Sequence, residues 1–254
     1  MDREHVLQDT PHRLVSRVGD TVRRPVQPWS GAVHELLLHL EAVGFEHAPR
    51  FLGIDAEGRE VLSYLEGESG PDGWAKVVDE SGLTAMARLL RDYHEAVRGF
   101  RPTGAWAGRD TPPGPGELIC HGDYGPWNLT WAGTRPAGIL DFDYAWPAPP
   151  LFDVAYALEY VAPFRSDEEC RRWLRYPAPP DRRRRLELFA TAYGLTSFEG
   201  LADAVIAQQE QVWHRARQLA AEGRQPQAEW QATGFLDQTA DRIEWSRAHR
   251  QLFA

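Results

Sequence analysis

His121–Trp131 reads HGDYGPWNLTW, and Gly138–Tyr144, shortly after it, reads GILDFDY. Both stretches mix carboxylates with apolar and aromatic residues, where ordinary surface loops are more uniformly polar. Leu129-Thr130-Trp131 and Gly138-Ile139-Leu140 are β-prone, and AGTRP between them supplies turn residues. If these runs pair as an antiparallel hairpin, the residues that flank them, Asn128 and Asp141, come together. Paired strands lie about 5 Å apart, so one hard cation could touch both side chains. Amide and carboxylate oxygens suit Mg²⁺, with water and phosphate oxygens filling the other positions. Asp123 sits in a loop with Gly125 and Pro126 that can fold back. It would then bring a second carboxylate near the cation without ligating it.

Phosphoryl transfer needs such a set. One carboxylate orients a substrate hydroxyl and accepts its proton, while a metal-held amide and carboxylate position nucleotide phosphates. The protein contributes positioning and charge rather than covalent chemistry.

The rest of the chain bounds this reading. Its 254 residues allow one large domain or two lobes, and 43% hydrophobic content is enough for a real core. No apolar run is long enough to span a membrane, and the charged opening MDREHVLQDTPHR lacks a signal core. A cytoplasmic protein with no membrane partner is expected. Cys120 and Cys170 form no CxxC pair or disulfide framework, and are read as reduced, partly buried thiols. A formal net charge of −9 disfavours nucleic acid and favours cationic partners. Lys76 is the sole lysine, so any site that needs a second one must use arginine.

Residues 1–66 read as short strands around one helix. Gly19-Asp20 marks a hairpin turn, and so does Ala56-Glu57-Gly58. Between them Val33, Leu36, Leu37 and Leu40 share a helical face, with Ser30 before the helix and Gly44 as its stop. This gives β-β-α-β-β. Glu68–Gly73 is a connector rich in Gly, Ser and Pro. Beyond it, Leu83, Met86, Leu89, Leu90, Tyr93 and Val97 form a long apolar stripe, read as core. A helix follows Asp153, the simplest N-cap there, and more helices are expected near 183–194, 200–222 and 228–250. The run Arg182–Arg185 lies beside Asp181 and Glu187 and reads as a solvated helix face rather than a nucleic-acid patch. The fold class is therefore α+β, a small mixed lobe (1–66) followed by a larger, mostly helical lobe (67–254).

At these residues a resemblance enters. HGDYGPWN is similar to the H-x-D-x-x-x-x-N catalytic loop of the kinase-like fold, with Gly after His as in the aminoglycoside phosphotransferase family. ILDFDYA resembles that family's metal-binding strand end, and PLFDVAYAL its following helix. VGDTVRRP, HLEAVGF, FLGID and EVLSYLEGE resemble its small lobe. The resemblance implies a two-lobed protein-kinase-like fold and an ATP- or GTP-dependent O-phosphotransferase acting on a small hydroxylated molecule, such as an aminoglycoside, another antibiotic or a metabolite. It implies Asp123 as catalytic base and Asn128 and Asp141 as holders of Mg²⁺. His121 and Asp153 become structural supports, and Leu65 begins a hinge that meets the adenine. Trp127, Asp143, Tyr144 and Glu159 are candidate substrate contacts. Core packing or loop anchoring explains the aromatic ones as well, and a solvated helix face explains Glu159 with Asp167, Glu168 and Glu169.

Two departures from the pattern keep another reading open. The third strand, TVRRP, carries arginine where the family has lysine, so Arg23 or Arg24 substitutes, with Arg24 favoured. Glu35 or Glu41, with His34 as a third option, would be its partner on the helix. The turn DTPHR has no glycine to bring backbone amides close to phosphate. A pseudokinase-like binding protein that has lost turnover is the alternative. GILDFDYA also mimics the opening motif of haloacid dehalogenase-like phosphatases, but that motif normally begins its domain.

Overall fold

A computed structural model describes residues 3–10, 13–107 and 112–253. Its residues group into two compact units that interleave in sequence. The first takes the described residues up to Gly73, then Arg91–Asp123 and Trp127–Pro150. The second takes Trp74–Leu90, Tyr124–Pro126 and the chain from Leu151 onward. The sequence suggested one cut after residue 66; the structure divides the chain at more points. The reason is local. Glu68 and Trp131 exchange both backbone hydrogen bonds, at 3.0 and 2.8 Å, which ties the later hairpin to the first unit.

In the first unit, strands β1 (Glu4–Thr10), β2 (Arg13–Val18) and β3 (Thr21–Pro25) precede helix α1 (Ser30–Ala42), and β4 (Phe51–Ile54) and β5 (Arg59–Ser63) follow it. The strands form one antiparallel sheet in the order β1-β2-β3-β5-β4. The expected β-β-α-β-β thus gains an edge strand, β1, whose residues are all exposed. Both expected turns are present. Gly19 adopts φ 59°, and Gly58 adopts φ 77° while Asp55 Oδ1 accepts from the Glu57 and Arg59 amides. Val33, Leu36, Leu37 and Leu40 are buried along α1, as their spacing requires. Ser30 opens the helix rather than capping it, and its hydroxyl accepts from the Gln27 amide at 2.9 Å. Gly44, at φ 76°, follows the helix end.

After α2 (Gly73–Lys76) comes α3 (Glu80–Ala96), whose apolar stripe from Leu83 to Val97 is buried throughout. Strand β6 (Leu118–Cys120) pairs antiparallel with β9 (Trp146–Ala148), and β7 (Leu129–Ala132) pairs with β8 (Arg135–Ile139). The β7–β8 hairpin closes on Gly133-Thr134, with Gly133 at φ 63°.

The second unit is helical: α4 (Leu151–Val161), α5 (Asp167–Arg172), α6 (Arg182–Tyr193), α7 (Leu201–Ala221), α8 (Gln227–Ala232) and α9 (Phe235–Ala248). The segment expected near 228–250 is two helices, because Gly234 turns left-handed (φ 77°) between them. Asp153 lies within the first turn of α4 and is fully buried; it is not the N-cap. Cys120 and Cys170 are free, buried thiols. The expected solvated arginine run is half wrong. Arg182 and Arg185 are buried, because backbone carbonyls at and just beyond the C-terminal ends of α4 and α2 need donors that a long guanidinium can supply. Arg182 Nε donates to Pro163 O at 2.9 Å, and Arg185 donates to Val161 O at 2.6 Å, to Val78 O at 3.0 Å and to Val77 O. No helix among the described residues is long and apolar enough to cross a membrane.

Candidate active site

The site is built in the first unit from the loop after β6, the end of the β7–β8 hairpin and the inner strands of the sheet. His121 directly follows β6 and is fully buried. Its Nε2 lies 2.8 Å from the Leu140 carbonyl, and its Nδ1 lies 3.3 Å from the Asp123 amide. A carbonyl can only accept, so Nε2 carries the hydrogen and Nδ1 accepts from Asp123 N–H. The imidazole therefore ties the loop to the end of β8.

Gly122 explains the glycine in HGD. Its φ is 81°, and a Cβ there would lie 2.0 Å from the Tyr144 carbonyl oxygen. No side chain fits between the two passes of backbone. The loop is thereby pressed onto the segment that carries Asp141 and Asp143.

Asn128 acts at the other end of the loop. Its Nδ2 donates to the Asp123 backbone carbonyl at 2.9 Å and to Asp123 Oδ2 at 2.7 Å. Its backbone carbonyl accepts from Leu140 N at 2.7 Å, one residue before Asp141. The hairpin thus delivers Asn128 and Asp141 to the same strand end, as the pairing of β-prone runs predicts. With Nδ2 committed to Asp123, the Asn128 oxygen remains as an acceptor. Asp141 adopts a left-handed conformation (φ 60°, ψ 65°), tolerable for aspartate and uncommon elsewhere. Its carboxylate is partly open to solvent, at 30% exposure.

Around Asp141 stands a charge cluster. Arg24, on β3, is buried and points its guanidinium inward. Nε lies 2.5 Å from Glu60 Oε1, Nη1 3.3 Å from Asp141 Oδ1 and Nη2 2.9 Å from Asp143 Oδ1. Arg13, at the start of β2, donates to both Asp141 oxygens at 3.0 and 3.2 Å and lies 3.2 Å from Asp143 Oδ2. Glu60 is fully buried and also meets His34 Nε2 at 2.8 Å; the His34 ring stacks on Phe51 at 3.7 Å. Burial works against ionisation of Asp141, but the Arg13 and Arg24 charges overcome it and hold this carboxyl below its usual range. At Asp143 burial dominates, the neighbouring Asp141 charge adds to it, and the carboxyl is raised despite Arg24.

Of the two candidate arginines, Arg24 is the inward one. Its carboxylate partner is Glu60 on β5, neither Glu35 nor Glu41 on α1, and His34 bonds to that partner rather than to Arg24. Glu35 instead accepts from Thr103, at 2.8 Å from the amide and 2.5 Å from the hydroxyl. Leu65 lies against the hairpin: a Cβ on Gly138 would be 2.5 Å from its Cδ1, so Gly138 is what lets it approach. Asp143, a candidate substrate contact, belongs instead to the arginine cluster and is buried. Trp127 is half-buried in the short turn before β7, and Tyr144 is 41% exposed. Glu159 lies in the second unit on α4, buried and 3.7 Å from Arg165, so it is no solvated helix face. Asp167 pairs with Arg182 at 2.8 Å and Glu169 with Arg242 at 3.1 Å.

Sequence reasoning missed Arg13 and Glu60. Arg24 stands opposite Glu60 only because β3 pairs with β5, a neighbour relation that strand periodicity does not reveal.

The donor set suits a hard divalent cation: an amide oxygen, a carboxylate held ionised and no sulfur. Asn128 and Asp141 are the residues that would hold it.

Residues 103–219 match the model of a phosphotransferase enzyme family. The trifolitoxin immunity protein of Rhizobium leguminosarum bv. trifolii is 32% identical over 216 residues, covering 81% of this chain and 80% of that protein. Among solved structures, the GDP complex of an aminoglycoside 2'-phosphotransferase-IIIa superposes with a TM-score of 0.65 at 16% identity, over 98% of this chain and 94% of the other. An amicoumacin kinase in complex with AMP-PNP, Ca²⁺ and Ami gives 0.62 at 11% identity, over 97% and 88%. These two show that the fold is the two-lobed kinase-like one.

Proposed function

The chain belongs to the phosphotransferase enzyme family, and on that premise we propose that it transfers the terminal phosphoryl group of ATP or GTP to a hydroxyl of a small molecule. The observation that carries this reading is Asn128 holding the Asp123 carboxylate at 2.7 Å while its own backbone pairs with Leu140, beside Asp141. Asp123 then has a fixed orientation, as a base that must meet a substrate proton requires. It accepts the hydrogen of the acceptor hydroxyl as that oxygen attacks phosphorus. A divalent cation, Mg²⁺ in this reading, supplies charge stabilisation to the phosphates when bound. Asn128 and Asp141 would hold it, Arg24 adds fixed positive charge, and His121 keeps the loop in register. Leu65 and the hinge backbone would meet the base of the nucleotide.

The acceptor class rests on names and charge. Structures with this fold include an aminoglycoside phosphotransferase and an amicoumacin kinase, and a relative is named for immunity to a toxin. Together with a net charge of −9, this favours a hydroxylated and cationic antibiotic or toxin, detoxified by phosphorylation in the cytoplasm, where nucleotide triphosphates are found.

The test is release of ADP or GDP with Mg²⁺ over a panel of aminoglycosides and other hydroxylated antibiotics, with Asp123→Ala as control. Acceptor-dependent release that the variant loses supports the reading and identifies the substrate class. Release that survives in Asp123→Ala removes the base assignment.

A second reading, a binding protein without turnover, draws support from the two arginines that fill the phosphate side of the site. A melting temperature unmoved by millimolar Mg²⁺ and nucleotide, with no release, favours it.

A further inference from the structure

The most unusual feature of the site is its second guanidinium. Arg24 and Arg13 reach the same two carboxylates from different strands, but they are not equivalent. Arg24 is 6% exposed and anchored on its far side by Glu60 at 2.5 Å. Arg13 is 22% exposed, and its hydrogen bonds go to Asp141 itself. It sits where β2 begins, paired with Thr10 of β1; the stretch DTPHR lies partly outside the described residues.

Charge decides what Arg13 can do. Asp141 and Asp143 each face both guanidiniums, and Glu60 adds a third carboxylate behind Arg24. A dication held by Asn128 and Asp141 would face the positive charge of both guanidiniums, and that repulsion would oppose its binding. The conflict is relieved only if one guanidinium leaves. Arg24 cannot leave without stranding the buried Glu60. Arg13 can, since its tip is partly in solvent and no other described group holds it.

We propose that Arg13 is a nucleotide-phosphate ligand that exchanges partners. It holds Asp141 and Asp143 until a metal–nucleotide complex arrives, then releases both carboxylates and binds the phosphates, replacing the backbone amides that a glycine-rich loop would provide. Guanidinium binds phosphate and carboxylate with the same bidentate geometry, so the exchange needs only a swing of one long side chain. The metal and the nucleotide consequently bind as a pair, and metal alone binds poorly. This rests on the phosphotransferase reading of the site.

The test compares wild type with Arg13→Gln in two titrations: Mg²⁺ with GTP or ATP by calorimetry, and Mn²⁺ alone by electron paramagnetic resonance. Loss of a phosphate contact weakens nucleotide binding by roughly tenfold or more. Removal of the competing guanidinium tightens Mn²⁺ binding in the same variant. Opposite signs in one protein are what a merely structural arginine would not give. Should Arg13→Gln fail to fold with Asp143 left short of charge, Arg13→Gln with Asp143→Asn restores the balance and takes its place. If the variant binds nucleotide as wild type does, or weakens both titrations together, the exchange is overturned while the phosphotransferase reading stands. If wild type binds no nucleotide at all, both fall.

Discussion

Arg24 on β3 and Glu60 on β5 stand directly opposite each other in the sheet, and their side chains close to 2.5 Å in the interior. In this chain the carboxylate partner of Arg24 comes from the neighbouring strand rather than from α1. The consequence is rigidity: a cross-strand pair is fixed by backbone register, so Arg24 cannot be drawn in or out by motion of the helix.

A stability prediction follows from the burial of that pair. Arg24→Ala leaves Glu60 buried with only His34 against it, and should cost about 3–5 kcal/mol, the range for breaking a buried ion pair. Arg24→Met with Glu60→Leu removes both charges and should cost much less than the sum of the single changes. Urea denaturation of the four proteins of this cycle checks it, and strict additivity would sink the pairing.

Gly122 allows a second prediction. Gly122→Ala places a methyl group on the Tyr144 carbonyl in a backbone conformation already costly for alanine, by about 1–2 kcal/mol from chirality alone. The loop must lift, and Asp123 lifts with it. Stability should fall by at least that amount and turnover should drop sharply, while nucleotide binding, made by other residues, changes little. Turnover equal to wild type would show that loop position does not matter.

Arg185 should behave unlike its neighbour Arg183. Arg185 is buried and satisfies the carbonyls of Val161, Val77 and Val78, whereas Arg183 is 63% exposed and pairs with Glu187 at 2.9 Å. Arg185→Ala removes the donor from the Val77 and Val78 carbonyls and leaves Val161 O with only the Tyr176 hydroxyl, and should cost about 3 kcal/mol or more. Arg185→Lys should not rescue it, because a point charge cannot span carbonyls on separate segments. Arg183→Ala should lie within about 0.5 kcal/mol of wild type. Thermal and chemical unfolding distinguish the two positions.

These cases divide what the chain discloses in advance from what it does not. The β7–β8 hairpin and the loop before it were legible because both are local. Alternation, a turn and short spacings decide that Asn128 meets Asp123 and that Asp141 ends the next strand. The apolar face of α1 and the stripe of α3 were legible for the same reason, since one helix carries its own period. Partners across the fold were not. Whether Arg24 faces Glu35 or Glu60 depends on the order of strands in the sheet, and whether Arg13 reaches Asp141 depends on how the first hairpin lies over the loop. Arg182 and Arg185 looked solvated because charge in a sequence says nothing of distant carbonyls in need of donors. Glu159 looked like a surface acid for the same reason.

Glu159 provides the prediction that depends on pH. It lies on α4, 9% exposed, with Arg165 3.7 Å away. Burial raises its carboxyl above the ordinary value of 4.5, and neither the Arg165 charge nor the neighbouring Gln209 side chain fully offsets this. The folded protein therefore holds this proton to higher pH than the unfolded chain does. Stability falls as pH rises from about 4.5 through the raised folded value, because the unfolded chain binds fewer protons over that window. Glu159→Gln removes the ionisation and keeps the shape. It should be more stable than wild type at pH 7, and the difference should shrink toward zero as pH is lowered to 4.5 and below. Urea midpoints at pH 7 and pH 4 measure it. A Glu159→Gln protein less stable than wild type at pH 7, with the gap closing on acidification, would mean that the ion pair with Arg165 outweighs burial and that Glu159 is held as an anion.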